Sequence, residues 1–342
     1  ATRSLSRYLS PLDNYPFWTL PAIHRGIRVA RAEGVDLILA TGNPFNSFMA
    51  ARYVGRRFDV PYVVDFRDAW TFDQFTGELK PGATEVALTV ERQVLHHAAA
   101  VIAVNQAILD WLIHTHSVPR RVRRLVVENG YDGDLIDPEL AEGYAGRTLE
   151  EMRDSGPRFA YVGTVIPDKL DWESLFRRWA DAQRLVPYEV SFDMYGHLGF
   201  SSQQAEAMNP VFRSDGVRHH GSIPKTEVWR VYKHADALVL PMYSSPFVTS
   251  GKVYEMMATG KPILALGPDT AGAMKPLRGY PKLVFSRGRD PREVARAIQA
   301  AVMLAANSPK ALDRAAIDYA SRFERARLIR PLMNLLDGVV NA

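Results

Sequence analysis

The chain has 342 residues, a length that sets a prior of about two domains. A hydrophobic share of 47% beside 23% charged residues describes a globular chain with sizeable cores and excludes a disordered or fibrous one. Lys and Arg (42) exceed Asp and Glu (38) by only 4, so nothing points to nucleic acid, and the absence of Cys excludes disulfides, thiolate metal centres and Cys nucleophiles while fitting a reducing cytoplasm.

Taken in order, short apolar runs alternate with amphipathic ones. Strands are predicted over 35–42, 60–68, 100–105 and 123–130, with helices over 44–58, 85–99 and 106–116 between them. Strands apolar on both faces and separated by helices imply a parallel sheet covered on two sides. A polar stretch, 132–157, reads as a linker. The alternation then restarts, with strands over 158–164, 188–196, 217–223, 235–243, 261–267 and 282–288. Helices are predicted over 171–185, 225–234 and 249–262, and long helical patterns over 291–306 and 309–341 close the chain. No apolar run approaches the roughly 18 residues of a membrane span, and the basic run VPRRVRR (118–124) offers at most a peripheral contact with an anionic membrane face.

In doubly wound sheets ligands bind beyond the carboxyl ends of the strands. After the strand 158–164 stands YVGTVIPDK, where Gly163 permits a close turn and Lys169 lies near a helix start. That pairing suits a diphosphate, by backbone amides and a point charge. TSGKVYEMMATGKP (249–262) repeats the arrangement. Thr249, Ser250 and Gly251 are expected to leave amides exposed, Lys252 adds charge, and Glu255 one turn on suits ribose hydroxyls. In the first half, VVDFRDAW gathers Asp65, Arg67 and Asp68 at a strand end, either as an Asp–Arg pair tying a loop or as working groups. Asn43 and Asn129 are further polar residues at carboxyl ends. Asp132-Gly133-Asp134 reads as a solvated turn, and the His pairs 96–97 and 219–220 and the HTH triplet lack helical metal-site spacing. No G-x-G-x-x-G or G-x-S-x-G appears, which disfavours a nicotinamide dehydrogenase and an α/β-hydrolase.

The blocks DLILATGNPFNSFMAARYVGRRFDVPYVVDFRDAW, VIAVNQAILDWL, VVENGYD, YVGTVIPDK, HHGSIPKTEVWRVYKHADALVLP and SGKVYEMMATGKPILAL resemble, in order, those of GT-B-fold glycosyltransferases of family 4. The resemblance implies two Rossmann-like doubly wound domains facing a central cleft, with a C-terminal helix crossing back to the first. It places an acceptor domain at 1–140, a nucleotide-sugar domain at 155–322 and the returning helix at 323–342. It implies retaining transfer from a UDP- or GDP-type sugar, used as substrate, without cofactor or metal. By the same resemblance Lys169 contacts the donor diphosphate and Gly163 and Thr164 form its loop. Ser250, Gly251 and Lys252 face the pyrophosphate, Glu255 holds the ribose, and Tyr195, Gly196 and His197 frame the base together with the HHGSIP loop. Asn43, Asp65, Arg67 and Asp68 fall where acceptor or sugar is positioned, with Arg67, Asp68 and Lys169 as catalytic candidates. The acceptor, a glycan, a lipid-linked molecule or a small molecule, belongs to variable loops such as 71–84. The cytoplasm, or the inner face of its membrane, is the expected location.

Three departures stand out. The first carboxylate of the family's Glu-x7-Glu motif falls on Phe247, and the Arg after the loop glycine is Thr164. Residues 1–34 show neither the family's first strand nor its Gly-rich loop, so either the chain is truncated, the reading favoured here, or its first sheet is reduced. These departures keep two alternatives open, a nucleotide-sugar 2-epimerase of the same fold and a non-catalytic GT-B binding subunit.

Overall fold

A computed structural model describes residues 13, 15, 17–83, 85–136, 146–199 and 216–342. The chain divides into two compact units, Ala1–Glu128 with Leu328–Ala342, and Asn129–Arg327.

In the first unit β1 (Ile38–Gly42), β2 (Tyr62–Phe66), β3 (Ala100–Ala103) and β4 (Arg123–Val126) form a parallel sheet in that order. The all-apolar β3 is buried throughout, as a strand covered on both faces must be. On one face the helix Arg325–Val340 brings Val339, Leu332, Leu335 and Leu336 against Val63, Ala100 and Ile102. Elsewhere an aromatic cluster forms, with Phe45 stacked on Trp70 at 5.6 Å and Phe48 tilted on Phe66 at 4.6 Å. The helix Gln106–His116 begins where Asn105 accepts the Ile108 amide at 2.9 Å.

Two features of this unit go beyond the expectation. Residues Thr19–Glu33 form a helix, which packs on Asn46–Phe58 where the absent Cβ of Gly26 lets Val54 approach. Within 71–84, where a variable loop is expected, Phe72 pairs with Leu79 antiparallel, Asp73 N donates to Glu78 O (2.8 Å) and Lys80 N to Thr71 O (2.9 Å). The loop is therefore a small hairpin, rooted by Phe72 stacked at 4.1 Å on Trp111.

The second unit contains β5 (Arg158–Val162), β6 (Ser191–Tyr195), β7 (Val217–His219), β8 (Ala237–Pro241), β9 (Ile263–Leu266) and β10 (Leu283–Ser286). All are parallel, in the order β10-β9-β8-β5-β6-β7. The winding reverses between β5 and β8, the topological switch point at which such sheets open a crevice. Trp172, Phe176 and Trp179 of the helix Trp172–Gln183 are buried in this core with Phe159 and Phe192.

The polar stretch 132–157 is not a plain linker. It contains the helix Leu149–Ser155, opened by a capping box in which Thr148 and Glu151 satisfy each other's amides; residues 137–145 of the stretch lie outside the described ones. The pattern 309–341 is likewise split, into Lys310–Ala320, a 3-10 turn Ser321–Phe323, and Arg325–Val340. The break has a local cause. Tyr131 N donates to Phe323 O (3.1 Å) and Arg325 N to Tyr131 O (2.9 Å), so the backbone around Glu324 is extended and bonded laterally.

Candidate functional site

At the switch point the segments after β5, β6 and β8 converge. Gly163 N donates to Tyr195 O at 2.7 Å and Val165 N to His197 O at 2.9 Å, so β5 and β6 continue as a narrow ribbon carrying Gly163, Thr164, Tyr195, Gly196 and His197. Gly196 has φ 133°, a conformation that favours glycine, and a side chain there would collide with the Gly163 carbonyl. Gly163 is required for a different reason. A Cβ on it would stand 2.6 Å from Lys252 Cε and 2.5 Å from Tyr161 Oη, so the Lys252 side chain lies directly over the glycine loop. Burial pushes the Lys252 ammonium down, and the nearby Glu255 opposes that shift.

Beyond Gly251 the backbone amides are engaged locally. Lys252 N donates to Ser250 Oγ (3.4 Å), Val253 N to Ser250 O (3.2 Å) and Tyr254 N to Gly251 O (3.2 Å). The first amides of the helix Lys252–Ala258 are thus engaged locally, and the charge at this point is that of the lysine side chain. Ser250 and Lys252 line a cavity of about 40 Å3 with Tyr161 and Tyr243. Asn129 Cβ lies 3.8 Å from the Cβ position of Gly251. Lys169 is half-buried in the 3-10 turn Pro167–Lys169, just ahead of the helix that Asp171 caps.

Glu255 is half-buried one turn into its helix. Burial raises its carboxyl, against the pull of Lys225, Lys252 and Arg325, with Asp132 adding to the rise. Its neighbour Tyr232 is fully buried, and its hydroxyl has no hydrogen-bond partner among the described residues. Burial, then Glu255 and Tyr161, hold that phenol well above its usual range.

In the first unit Arg67 donates to Val127 O (2.8 Å) and approaches Asp65 Oδ1 at 3.5 Å, while Thr41 Oγ1 donates to Asp65 Oδ2 (3.4 Å). Asp65 and Arg67 therefore tie the carboxyl ends of β1, β2 and β4, and burial raises the Asp65 carboxyl despite Arg67. Asp68 stands apart from this tie and accepts from Gln74 Nε2 of the hairpin at 3.1 Å. Asn43 is exposed just after β1. Of the basic run, Arg121 donates to His96 O (2.8 Å) and Arg124 to Val118 O (2.9 Å), contacts that brace the β4 side of the sheet. Among the described residues no helix is long and apolar enough to cross a membrane, and no group of three or more His, Asp or Glu side chains could hold a metal ion.

Two family models match the chain. One described as a glycosyl transferase 4-like domain covers residues 3–130, and one described as glycosyl transferases group 1 covers 156–303. The chain is a GT-B glycosyltransferase.

Solved structures share the glycosyltransferase fold at low sequence identity. HepE of Anabaena in complex with UDP is 16% identical with a TM-score of 0.66, over 93% of this chain and 82% of that one. Sucrose-phosphate synthase of Thermosynechococcus elongatus is 17% identical with a TM-score of 0.66, over 97% and 82%. A glycosyltransferase of Rickettsia africae is 13% identical with a TM-score of 0.64, over 96% and 83%. No curated protein matches the chain by sequence.

In the HHGSIP segment, whose loop the resemblance places around the base, two histidines contact the end of β6. His219 Nε2 bonds Gly196 O at 2.8 Å, while His220 stacks on Tyr195 at 4.6 Å and bonds Asp193 at 2.6 Å. Adjacent residues at a strand end point to opposite faces, which is the signal that the His pair carried. Glu91 is wholly buried, bonded to Thr71 Oγ1 (2.5 Å) and His116 Nε2 (2.8 Å). Its place in the stripe Ala87, Glu91, Val94, Leu95 was the readable sign of an inward carboxylate.

Proposed function

We propose that the enzyme transfers a glycosyl group from a nucleoside-diphosphate sugar to an acceptor hydroxyl or similar nucleophile, with retention and without a resident metal ion. The observation that carries this reading is the Lys252 side chain lying over Gly163 at the switch point of a six-stranded sheet. A glycine loop with a half-buried cation above it suits a diphosphate better than a neutral ligand, because burial strengthens the attraction to an anion. HepE, of the same fold, has been solved with UDP and with UDP-glucose, which favours a UDP-type donor; a GDP-type donor is the alternative to test.

In this reading Gly163, Thr164, Ser250 and Gly251 admit the pyrophosphate closely, and Lys169 and Lys252 neutralise it. Glu255 accepts from the ribose hydroxyls, and Tyr195, Gly196 and His197 frame the base. As the bond from the anomeric carbon to the diphosphate oxygen breaks, charge accumulates on that oxygen, and the two lysines stabilise it. The acceptor oxygen bonds to the anomeric carbon, and its proton passes to the departing phosphate. Asn43 and Asp68 position acceptor or sugar, on a strand end that Asp65 and Arg67 hold in shape. The acceptor lies on a glycan, a lipid-linked molecule or a small molecule.

The test is incubation with a panel of UDP- and GDP-sugars, with and without acceptors of these three classes. Transfer, or slow hydrolysis releasing the diphosphate, is expected. A C2 epimer of the donor would replace this reading with an epimerase, and binding without turnover would replace it with a non-catalytic subunit.

A further inference from the structure

In the first unit the helices Thr19–Glu33, Asn46–Phe58 and Glu85–His97 border a groove of about 440 Å3. Each gives it apolar wall: Ile23 from the first, Met49 from the second, Val90 and Val94 from the third. Arg52, Arg56 and Arg57 line the same groove, and among the described residues no carboxylate does. None of the residues assigned to donor or acceptor lines it.

Its charge is one-sided. The three helices carry seven arginines against three glutamates, and one of those, Glu91, is buried against Thr71 and His116. Arg52, Arg56 and Arg57 form no ion pair among the described residues, and Arg52 Nε is buried there with no hydrogen-bond partner.

Around this charge apolar side chains stand out into water. Leu20 is 78% exposed, Val86 63% and Tyr53 52%, one from each helix. Leu20 lies three residues before Ile23 and Val86 four before Val90, so each shares a helix face with a residue of the groove wall. Tyr53 lines the groove itself, and Phe17 and Trp18 are exposed just ahead of the first helix. A lone exposed apolar residue is ordinary, but three helices turning one each toward the same arginines make a patch.

A small soluble anion would engage only the arginines, and a neutral apolar partner only the leucine, valine and tyrosine. A phospholipid surface engages both. Its phosphates meet the guanidinium groups, aliphatic side chains enter below the headgroups, and Trp and Tyr settle at the interface. The basic run 118–124 offers less, because Arg121 and Arg124 already serve backbone carbonyls.

We propose that this groove and its rim dock the chain on a membrane surface bearing anionic phospholipid. Arg52, Arg56 and Arg57 take the lipid phosphates, and Leu20, Val86 and Tyr53 enter the interface.

The test is flotation of the full chain with vesicles of phosphatidylcholine alone, and of phosphatidylcholine with phosphatidylglycerol, at low and high salt. Wild type is compared with Arg56→Glu/Arg57→Glu, with Leu20→Asp, and with Arg289→Glu/Arg292→Glu, the same charge change at exposed positions of the second unit. Every substituted side chain is exposed, so the variants fold, and circular dichroism checks them. Wild type is expected to bind the anionic vesicles, less so at high salt, and to leave the neutral ones largely alone. Arg56→Glu/Arg57→Glu and Leu20→Asp each weaken binding about tenfold or more, while the second-unit variant binds like wild type. No binding to anionic vesicles, equal binding to neutral ones, wild-type binding by either groove variant, or an equal loss in the second-unit variant would overturn the proposal. So would a dimer, seen by sedimentation, that Leu20→Asp dissolves, since the groove would then belong to a second copy of the chain. The donor reading is tested by turnover of soluble nucleotide sugars, so the two can fail independently.

Discussion

Gly163 and Lys252 meet because β5 and β8 are neighbours in the sheet although some ninety residues separate the two positions. Gly163→Ala forces both Lys252 and the buried Tyr161 ring aside. The variant is expected to lose some stability and, where it remains folded, to bind UDP more weakly, measured by calorimetry. Unaltered affinity would dissociate the lysine from the donor. Glu255 gives a pH prediction. Its folded carboxyl is raised above the ordinary value of 4.5, so the native state binds more protons than the unfolded one above that pH. The contribution of this group to stability is complete below pH 4.5 and is lost as pH rises through the folded value. Glu255→Gln lacks that loss. Its melting temperature relative to wild type is therefore expected to climb as pH rises from 4.5 through the folded value and then level off. A constant difference across that interval would contradict the assignment. The sequence made these residues visible as candidates, since glycine, lysine and glutamate stand just after strands. It could not show that Lys252 reaches Gly163, that Asp65 and Arg67 brace the sheet, or that His219 fixes Gly196, because those contacts join residues far apart in the chain.

At the scale of elements, strands with two buried faces were readable as continuous apolar runs, and β3 is the clearest case. The helix Thr19–Glu33 was not readable. None of its residues is buried, Trp18 supplies no side-chain cap, and Pro21 and Gly26 interrupt its pattern. The hairpin at 71–80 was hidden for another reason: its anchor is tertiary. Thr71, at its root, hydrogen-bonds Glu91, which His116 holds from the other side, and all three are fully or almost fully buried. Removing His116 leaves a buried carboxylate short of a partner and a void beside Trp111. His116→Ala is expected to cost about 1–3 kcal/mol, read as a shift of the urea midpoint at unchanged slope. A midpoint equal to wild type would show that the network does not support the hairpin. The split of 309–341 at Glu324 was illegible from periodicity, because the break is imposed by Tyr131 bonding on both sides of it.

For the whole molecule, the alternation of strands and helices indicated two parallel sheets, and both are present, of four strands and of six among the described residues. The family follows from models matching either half of the chain, while the solved relatives at 13–17% identity speak to fold. Donor binding to the folded chain must raise its stability by mass action, by about 2.7 kcal/mol at a hundredfold excess over the dissociation constant. UDP is accordingly expected to raise the melting temperature of wild type and to have much less effect on Lys252→Met. Equal shifts in both would place the nucleotide elsewhere. The most direct test of the central claim is release of the nucleoside diphosphate from the sugar-nucleotide panel by wild type, Lys169→Ala and Lys252→Met. The account expects turnover by wild type with the sugar passed to acceptor or water, and a loss of about a hundredfold or more in each variant. Wild-type rates in both variants would contradict it.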